Sequence, residues 1–168
     1  IKAENHNPEN YNFLGVAYYK KRDFPAALEN YRKALELDKN YASVFNNIGS
    51  LYLMVFRKNR DEKAYQLAMD SFDRAIRIDP RLFAAYNGRG AAHHFKGQTD
   101  AAIADWRKVI EINPNFVDAY FNLGVTLSGK GDKAAALEIL TACKERFQSR
   151  LPIPVRQRLE RLIAEARK

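Results

Sequence analysis

The chain is 168 residues long, 46% hydrophobic, and carries 28 basic against 20 acidic side chains for a net charge of +8. That apolar content suffices for a sizeable core, in one compact domain or one repeat array, while the single cysteine, Cys143, excludes an internal disulfide and a multi-cysteine metal site. No apolar run approaches the roughly 18 residues a membrane-crossing helix needs, and the surplus charge admits nucleic acid, anionic lipid or an acidic peptide as partner.

In chain order, Ile1, Lys2 and Ala3 followed by "ENHNPEN" read as the close of a helix and its turn. The start on isoleucine instead of methionine suggests further sequence, and further repeats, upstream. Residues 8–41 then give two amphipathic helices, with apolar side chains at helical spacing (Leu14 and Tyr18, then Leu28, Tyr31 and Leu35) and Asp23 placed as an N-cap. Residues 42–82 repeat the pattern with seven extra residues, all between Gly49 and Ala68. Seven residues make about two helical turns, one for each helix. The string "MVFRKNRDEKAY" is therefore expected to extend the hairpin tip, with its bend near Asn59. Burial sought by Val55, Phe56 and Tyr65 argues against a loose loop. Residues 83–116 and 117–150 form two further units, the last with Asp132 as an N-cap. "QSRLPIPV" breaks the helix, and in 151–168 Val155, Leu159, Leu162, Ile163 and Ala166 line one side of a final helix with arginines opposite. Such a helix caps the exposed core of a repeat array.

The units share more than periodicity. Gly15, Gly49, Gly90 and Gly124 sit in "YNFLGVAY", "FNNIGSLY", "YNGRGAAH" and "YFNLGVTL", separated by 34, 41 and 34 residues. A second row follows at Ala27, Ala68, Ala102 and Ala136, with a bulky residue four further on (Tyr31, Phe72, Trp106, Leu140) and a smaller one three beyond that (Ala34, Ala75, Val109, Cys143). Pro80 and Pro114 close the second and third units, because proline cannot continue the preceding helix. A helical glycine costs about 1 kcal/mol against alanine, so four at one phase imply close helix contact, with the alanine row as the expected facing half.

This pattern resembles the tetratricopeptide repeat (TPR) family over about Pro8 to Phe147. The resemblance implies an all-α, right-handed superhelical solenoid of helix-turn-helix hairpins with a C-terminal capping helix. Lys39 departs from it where proline is usual, as do Arg89 and His93 where Leu and Tyr usually sit, which predicts looser packing in the third unit.

In that family the first helices line a concave groove for extended or helical peptides, so the resemblance implies a protein-interaction module and not an enzyme. The groove positions it assigns include Asn12, Val16 and Tyr19, then Asn46, Asn47, Ser50 and Leu53, then Asn87, His94 and Phe95, and last Phe121 and Asn122. An amide offers both donors and an acceptor, so the asparagines could hold a ligand backbone while the apolar positions select side chains. Asn47 and Asn122 share the phase of the asparagine rows of O-GlcNAc transferases. The same amides could instead cap turns or bond neighbouring helices. The two-carboxylate clamp of chaperone-tail binders is rejected, because its positions hold Asn12, Val16, Asn47, Ala84 and Gly88 and only Asn47 matches. The alternative role is a regulatory or recruiting tail of a larger enzyme or membrane-anchored protein.

No catalytic, cofactor or metal site is expected. Adjacent residues on a helix do not face the same way, so His93 and His94 are not co-ligands; the first is assigned to packing and the second to the groove. Cys143 falls at a small packing position and reads as an inert buried thiol. From Cys143 onward eight basic residues face three acidic ones. Arg156, Arg158 and Arg161 are taken as a solvated outer face, since the stacking aromatics of single-strand binders are missing, and no nucleic-acid partner is expected.

Overall fold

A computed structural model describes residues 7–167, and among them the regular structure is helical throughout. The helices are α1 (Pro8–Lys20), α2 (Phe24–Leu37), α3 (Ala42–Asn59), α4 (Glu62–Ile78), α5 (Phe83–Phe95), α6 (Thr99–Ile112), α7 (Val117–Lys130), α8 (Lys133–Phe147) and α9 (Ile153–Ala166). The helix end expected over Ile1–Ala3 lies outside the described residues. Two compact units divide the chain, Ile1–Ala92 and His93–Lys168, with the boundary inside the last turn of α5.

Local chemistry sets the helix ends. Asp23 and Asp132 accept from the backbone N–H of Ala26 and Ala135 at 3.1 and 3.2 Å, as their positions predict. Asn7 does the same for Glu9 at 2.8 Å, ahead of Pro8, and Asp61 for Lys63 at 2.9 Å. Each cap satisfies one of the N–H groups that a helix start leaves without a carbonyl. The extension of the second unit is helical on both sides, for α3 has 18 residues and α4 has 17. Its bend falls at Arg60, which takes a left-handed backbone (φ 55°) directly after Asn59. The rings of Phe56 and Tyr65, 5.2 Å apart and both buried, hold the two helices together near the tip.

In the first unit α1 packs on α2, α2 on α3, and α3 on α4. The glycine row does meet the second helices, but the expected partner needs correction. A Cβ on Gly15 would come within 2.4 Å of the Tyr31 ring, and one on Gly49 within 2.7 Å of the Phe72 ring. In the second unit a Cβ on Gly124 would fall 2.6 Å from Leu140. The facing half at Gly15, Gly49 and Gly124 is therefore the bulky residue four beyond the alanine, because only a long side chain reaches across the space that the missing Cβ leaves. Phe72 is held from two sides, since a Cβ on Gly88 of α5 would also lie 2.4 Å from its ring.

Both departing side chains of the third repeat have polar partners. Arg89 pairs with Asp73 at 2.7 Å and lies over the Tyr86 ring. His93, half-buried, meets Gln98 through Nδ1 at 2.5 Å, and its Nε2 is 3.9 Å from the buried carboxylate of Asp105. Polar partners thus replace the apolar packing that Leu and Tyr would give. In the second unit α6 packs on α7, α7 on α8, and α9 against both α7 and α8. One apolar cluster joins Tyr120, Phe121, Leu140, Phe147, Leu159 and Ile163, so α9 closes the core as the amphipathic pattern predicts.

Candidate functional site

In the first unit α1, α3 and α5 each carry an asparagine three residues before the repeat glycine: Asn12, Asn46 and Asn87. Repetition at one helical phase gives all three the same place on their helices. Their hydrogen bonding separates them. Asn12 is buried, and its Oδ1 accepts from Nδ2 of Asn47 at 2.8 Å. Asn47 in turn accepts from Nδ2 of Asn46 through a longer contact of 3.5 Å. Asn12 and Asn47 thereby tie α1 to α3, and Asn12, buried, is corrected as an open groove residue: a buried amide is worth most when its polar atoms are paired.

Asn46 and Asn87 differ, for the Oδ1 of each is buried without a hydrogen-bond partner among the described residues. An unsatisfied buried acceptor costs about 1–3 kcal/mol, and a ligand that satisfies it recovers that cost. Val16, Tyr19 and Ser50 are half-buried, and the Tyr19 ring sits 6.0 Å from that of Phe24. Leu53 is a further correction: it is buried in the packing of α3 and offers no open apolar patch, because burial stabilises a leucine by about 1.5–3 kcal/mol over exposure.

In the second unit His94 is exposed, with its ring 5.7 Å from both Phe95 and Trp106. Phe95 and Asn122 are half-buried. Phe121 is not an open groove residue. It is 6% exposed, and the guanidinium of Arg158 from α9 lies 5.4 Å over its ring. A cation held over an aromatic face is favourable, so the arginine assigned to a solvated surface covers the aromatic assigned to a ligand.

The remaining chemistry is quiet. Cys143 is fully buried, and burial pushes its thiol up to about 11, well away from the thiolate form that reacts. Burial likewise raises the Tyr31 hydroxyl to about 12. Among the described residues no group of three or more His, Cys, Asp or Glu is placed to hold a metal ion, and no helix is long and apolar enough to cross a membrane.

The pattern described as TPR repeat matches residues 15–55 and 95–131, and that described as tetratricopeptide repeat matches residues 117–149, together more than half of the chain. A DnaJ homolog subfamily C member 7 homolog of Dictyostelium discoideum is 30% identical over 129 residues, 71% of this chain and 24% of that protein. The chain thus spans about a quarter of the length of this curated relative. Among solved structures, MamA aligns at 30% identity and a TM-score of 0.72, covering 88% of this chain and 82% of that one. The first TPR of Spaghetti (RPAP3) bound to HSP90 peptide SRMEEVD shares the fold at 21% identity, with a TM-score of 0.66 over 78% of this chain and 98% of that one. Hairpins repeating at intervals of 34 or 41 residues, with the family pattern matched over more than half of the chain, make this chain a member of the tetratricopeptide repeat family and a protein-interaction module.

Proposed function

We propose that the face of the first helices carrying Asn46 and Asn87 holds an extended or helical peptide segment of a partner protein. The carrying observation is the pair of buried amide oxygens with no partner inside the chain. Each amide is held by its helix, and a ligand N–H gains a hydrogen bond there once the oxygen, buried in the free chain, turns to meet it. Backbone N–H groups recur along any peptide, which makes such a row tolerant of ligand sequence, and Val16, Tyr19 and Ser50 supply the adjoining surface for side chains.

The ligand differs in kind from a carboxylate tail. Where a clamp would place cationic side chains, this chain has Asn12, Ala84 and Gly88. The solved relative bound to an HSP90 peptide supports peptide holding as a use of the fold, not that peptide as the ligand. The length of the curated relative supports a module that recruits partners for a longer polypeptide.

Affinity capture from an extract of the source cell supplies the ligand, and the double variant Asn46→Ala/Asn87→Ala tests the face. Binding is expected to weaken at least about tenfold, with helix content by circular dichroism unchanged. Undiminished binding by a folded double variant excludes this face.

A further inference from the structure

Six residues beyond the alanine of each second helix stand Lys33, Arg74, Lys108 and Ala142, and nine beyond it Glu36, Arg77, Glu111 and Glu145. In two hairpins the cation at the first place is neutralised by its own helix, for Lys33 pairs with Glu29 at 2.7 Å and Lys108 with Glu111 at 2.6 Å. Helix α4 departs from this twice. Arg77 reverses the charge at the second place, and among the described residues no carboxylate pairs with Arg74 or Arg77. The nearest acids of the helix turn elsewhere: Asp70, four residues before Arg74, accepts from Nε2 of Gln66 at 2.8 Å, and Asp73 pairs with Arg89 at 2.7 Å.

These two arginines border a crevice. With Phe45 of α3 and Leu67, Asp70 and Ser71 of α4 they line a space of about 270 Å³. Phe45 and Leu67 are half-buried and give it an apolar floor, while Arg74 and Arg77 are exposed at its rim. The guanidinium of Arg74 lies 5.5 Å from the centroid of the Phe45 ring, a contact that restrains the long side chain. Ser71 turns its hydroxyl to the Leu67 carbonyl at 2.6 Å, which leaves the two arginines as the donors for an incoming anion.

We propose that this crevice receives an acidic residue and its apolar neighbour from a partner protein, with the carboxylate on Arg74 and Arg77 and the apolar side chain against Phe45 and Leu67. Charge complementarity chooses the occupant. A guanidinium matches a carboxylate with two parallel hydrogen bonds, and the two on α4 lack the acid that the chain supplies to Lys33 and Lys108. The space is smaller than the roughly 300–1,000 Å³ of small-molecule sites, so it suits one or two side chains of a protein and not a free cofactor. A nucleic acid fits it poorly. Such a ligand is held by a row of cations and by open rings that stack its bases, whereas here two cations share the rim with Asp70 and one of them covers Phe45. The crevice has no residue in common with the Asn46 and Asn87 face, so either reading can fail without the other.

The test titrates the 168-residue chain, followed by NMR of its backbone amides, with the blocked tripeptide acetyl-Glu-Leu-Glu amide and its uncharged counterpart acetyl-Gln-Leu-Gln amide. The acidic peptide is expected to shift the amides of Phe45, Ser71, Arg74 and Arg77 and to bind at least about tenfold more tightly than the neutral one. Arg77→Glu gives α4 the residue that the other three hairpins carry at that place. It is expected to lower Tm by no more than about 2 °C, as substitutions at exposed positions do, and to weaken the acidic peptide at least about tenfold. Arg74→Gln/Arg77→Gln takes its place if Arg77→Glu does not fold. Undiminished binding by a folded variant, equal affinity for the two peptides, shifts confined to other helices, or no shift at about 10 mM acidic peptide overturns the proposal. So does an oligothymidylate that shifts the same amides at lower concentration than the acidic peptide, since the occupant is then a phosphate backbone.

Discussion

The ring of Phe72 is the residue on which the first unit turns. It is fully buried, and it lies where Cβ atoms on Gly49 and Gly88 would come to 2.7 and 2.4 Å. A methyl group added on either side has nowhere to push the ring, because the other glycine stands behind it. Gly49→Ala therefore overpacks the contact at about 1–3 kcal/mol, against a gain of about 1 kcal/mol in helix propensity. A net loss of up to about 2 kcal/mol is expected in chemical denaturation. In a double-mutant cycle Phe72→Leu should recover at least about 0.5 kcal/mol of it, and strict additivity would show that the ring is not the obstacle. The glycine row was legible in the sequence because four glycines share one phase. Its partner was not, since spacing alone does not say whether a small or a large side chain crosses the gap. Gly88 stayed hidden two residues from Gly90, and the amides were legible only as a row. That Asn47 donates to Asn12 while Asn46 and Asn87 each keep an unpaired oxygen depends on distances between helices that no pattern encodes.

Among the elements, the turns explain why the repeat survives its departures from the family pattern. After α2, α4 and α6 the chain leaves the helix at Asp38, Asp79 and Asn113, and each side chain accepts from the backbone N–H two residues on, at 2.9, 2.9 and 3.1 Å. An acidic or amide side chain of this kind builds the turn by itself. Lys39 can therefore stand where the other units have Pro80 and Pro114. The turns between paired helices have a different requirement. Arg22, Arg60, Gly97 and Gly131 all adopt positive φ, from 55° to 91°, a conformation that costs a residue with a Cβ about 1–2 kcal/mol. Glycine avoids that cost but loses about 0.4–1 kcal/mol through the freedom of the unfolded chain. Arg22→Gly, at an exposed position, should therefore stabilise by about 0.5 kcal/mol and raise Tm slightly in a thermal melt. A lower Tm would mean that the arginine side chain contributes more than its backbone strain removes. The helical extension was legible here because an enlarged interval coincided with apolar residues that demand burial, whereas the left-handed turn at Arg60 carries no glycine to announce it.

At the scale of the molecule, an array of hairpins draws its stability from neighbours, so an end needs a cap to keep its last core from water. In the second unit α9 is that cap. Leu159 is fully buried among Tyr120, Phe121, Phe147 and Leu151, Arg158 covers Phe121, and Lys144 of α8 reaches Glu160 at 3.3 Å. Composition placed the excess positive charge at this end but not its use, because a guanidinium over a ring and one in solvent look alike in a sequence. Burial decides which of these contacts matters. The Lys144–Glu160 pair is half-exposed, and such pairs contribute about 0–1 kcal/mol, whereas removing three carbons from a packed leucine costs about 2–5 kcal/mol. Leu159→Ala is thus expected to destabilise the second unit by that larger amount, and Lys144→Ala hardly at all. Hydrogen exchange locates the effect, with amides of α7 and α8 losing protection in Leu159→Ala while those of α1 and α2 keep theirs, as nearest-neighbour stabilisation requires. Loss of protection spread evenly along the chain would show that the hairpins unfold as one cooperative block and that α9 acts on all of them.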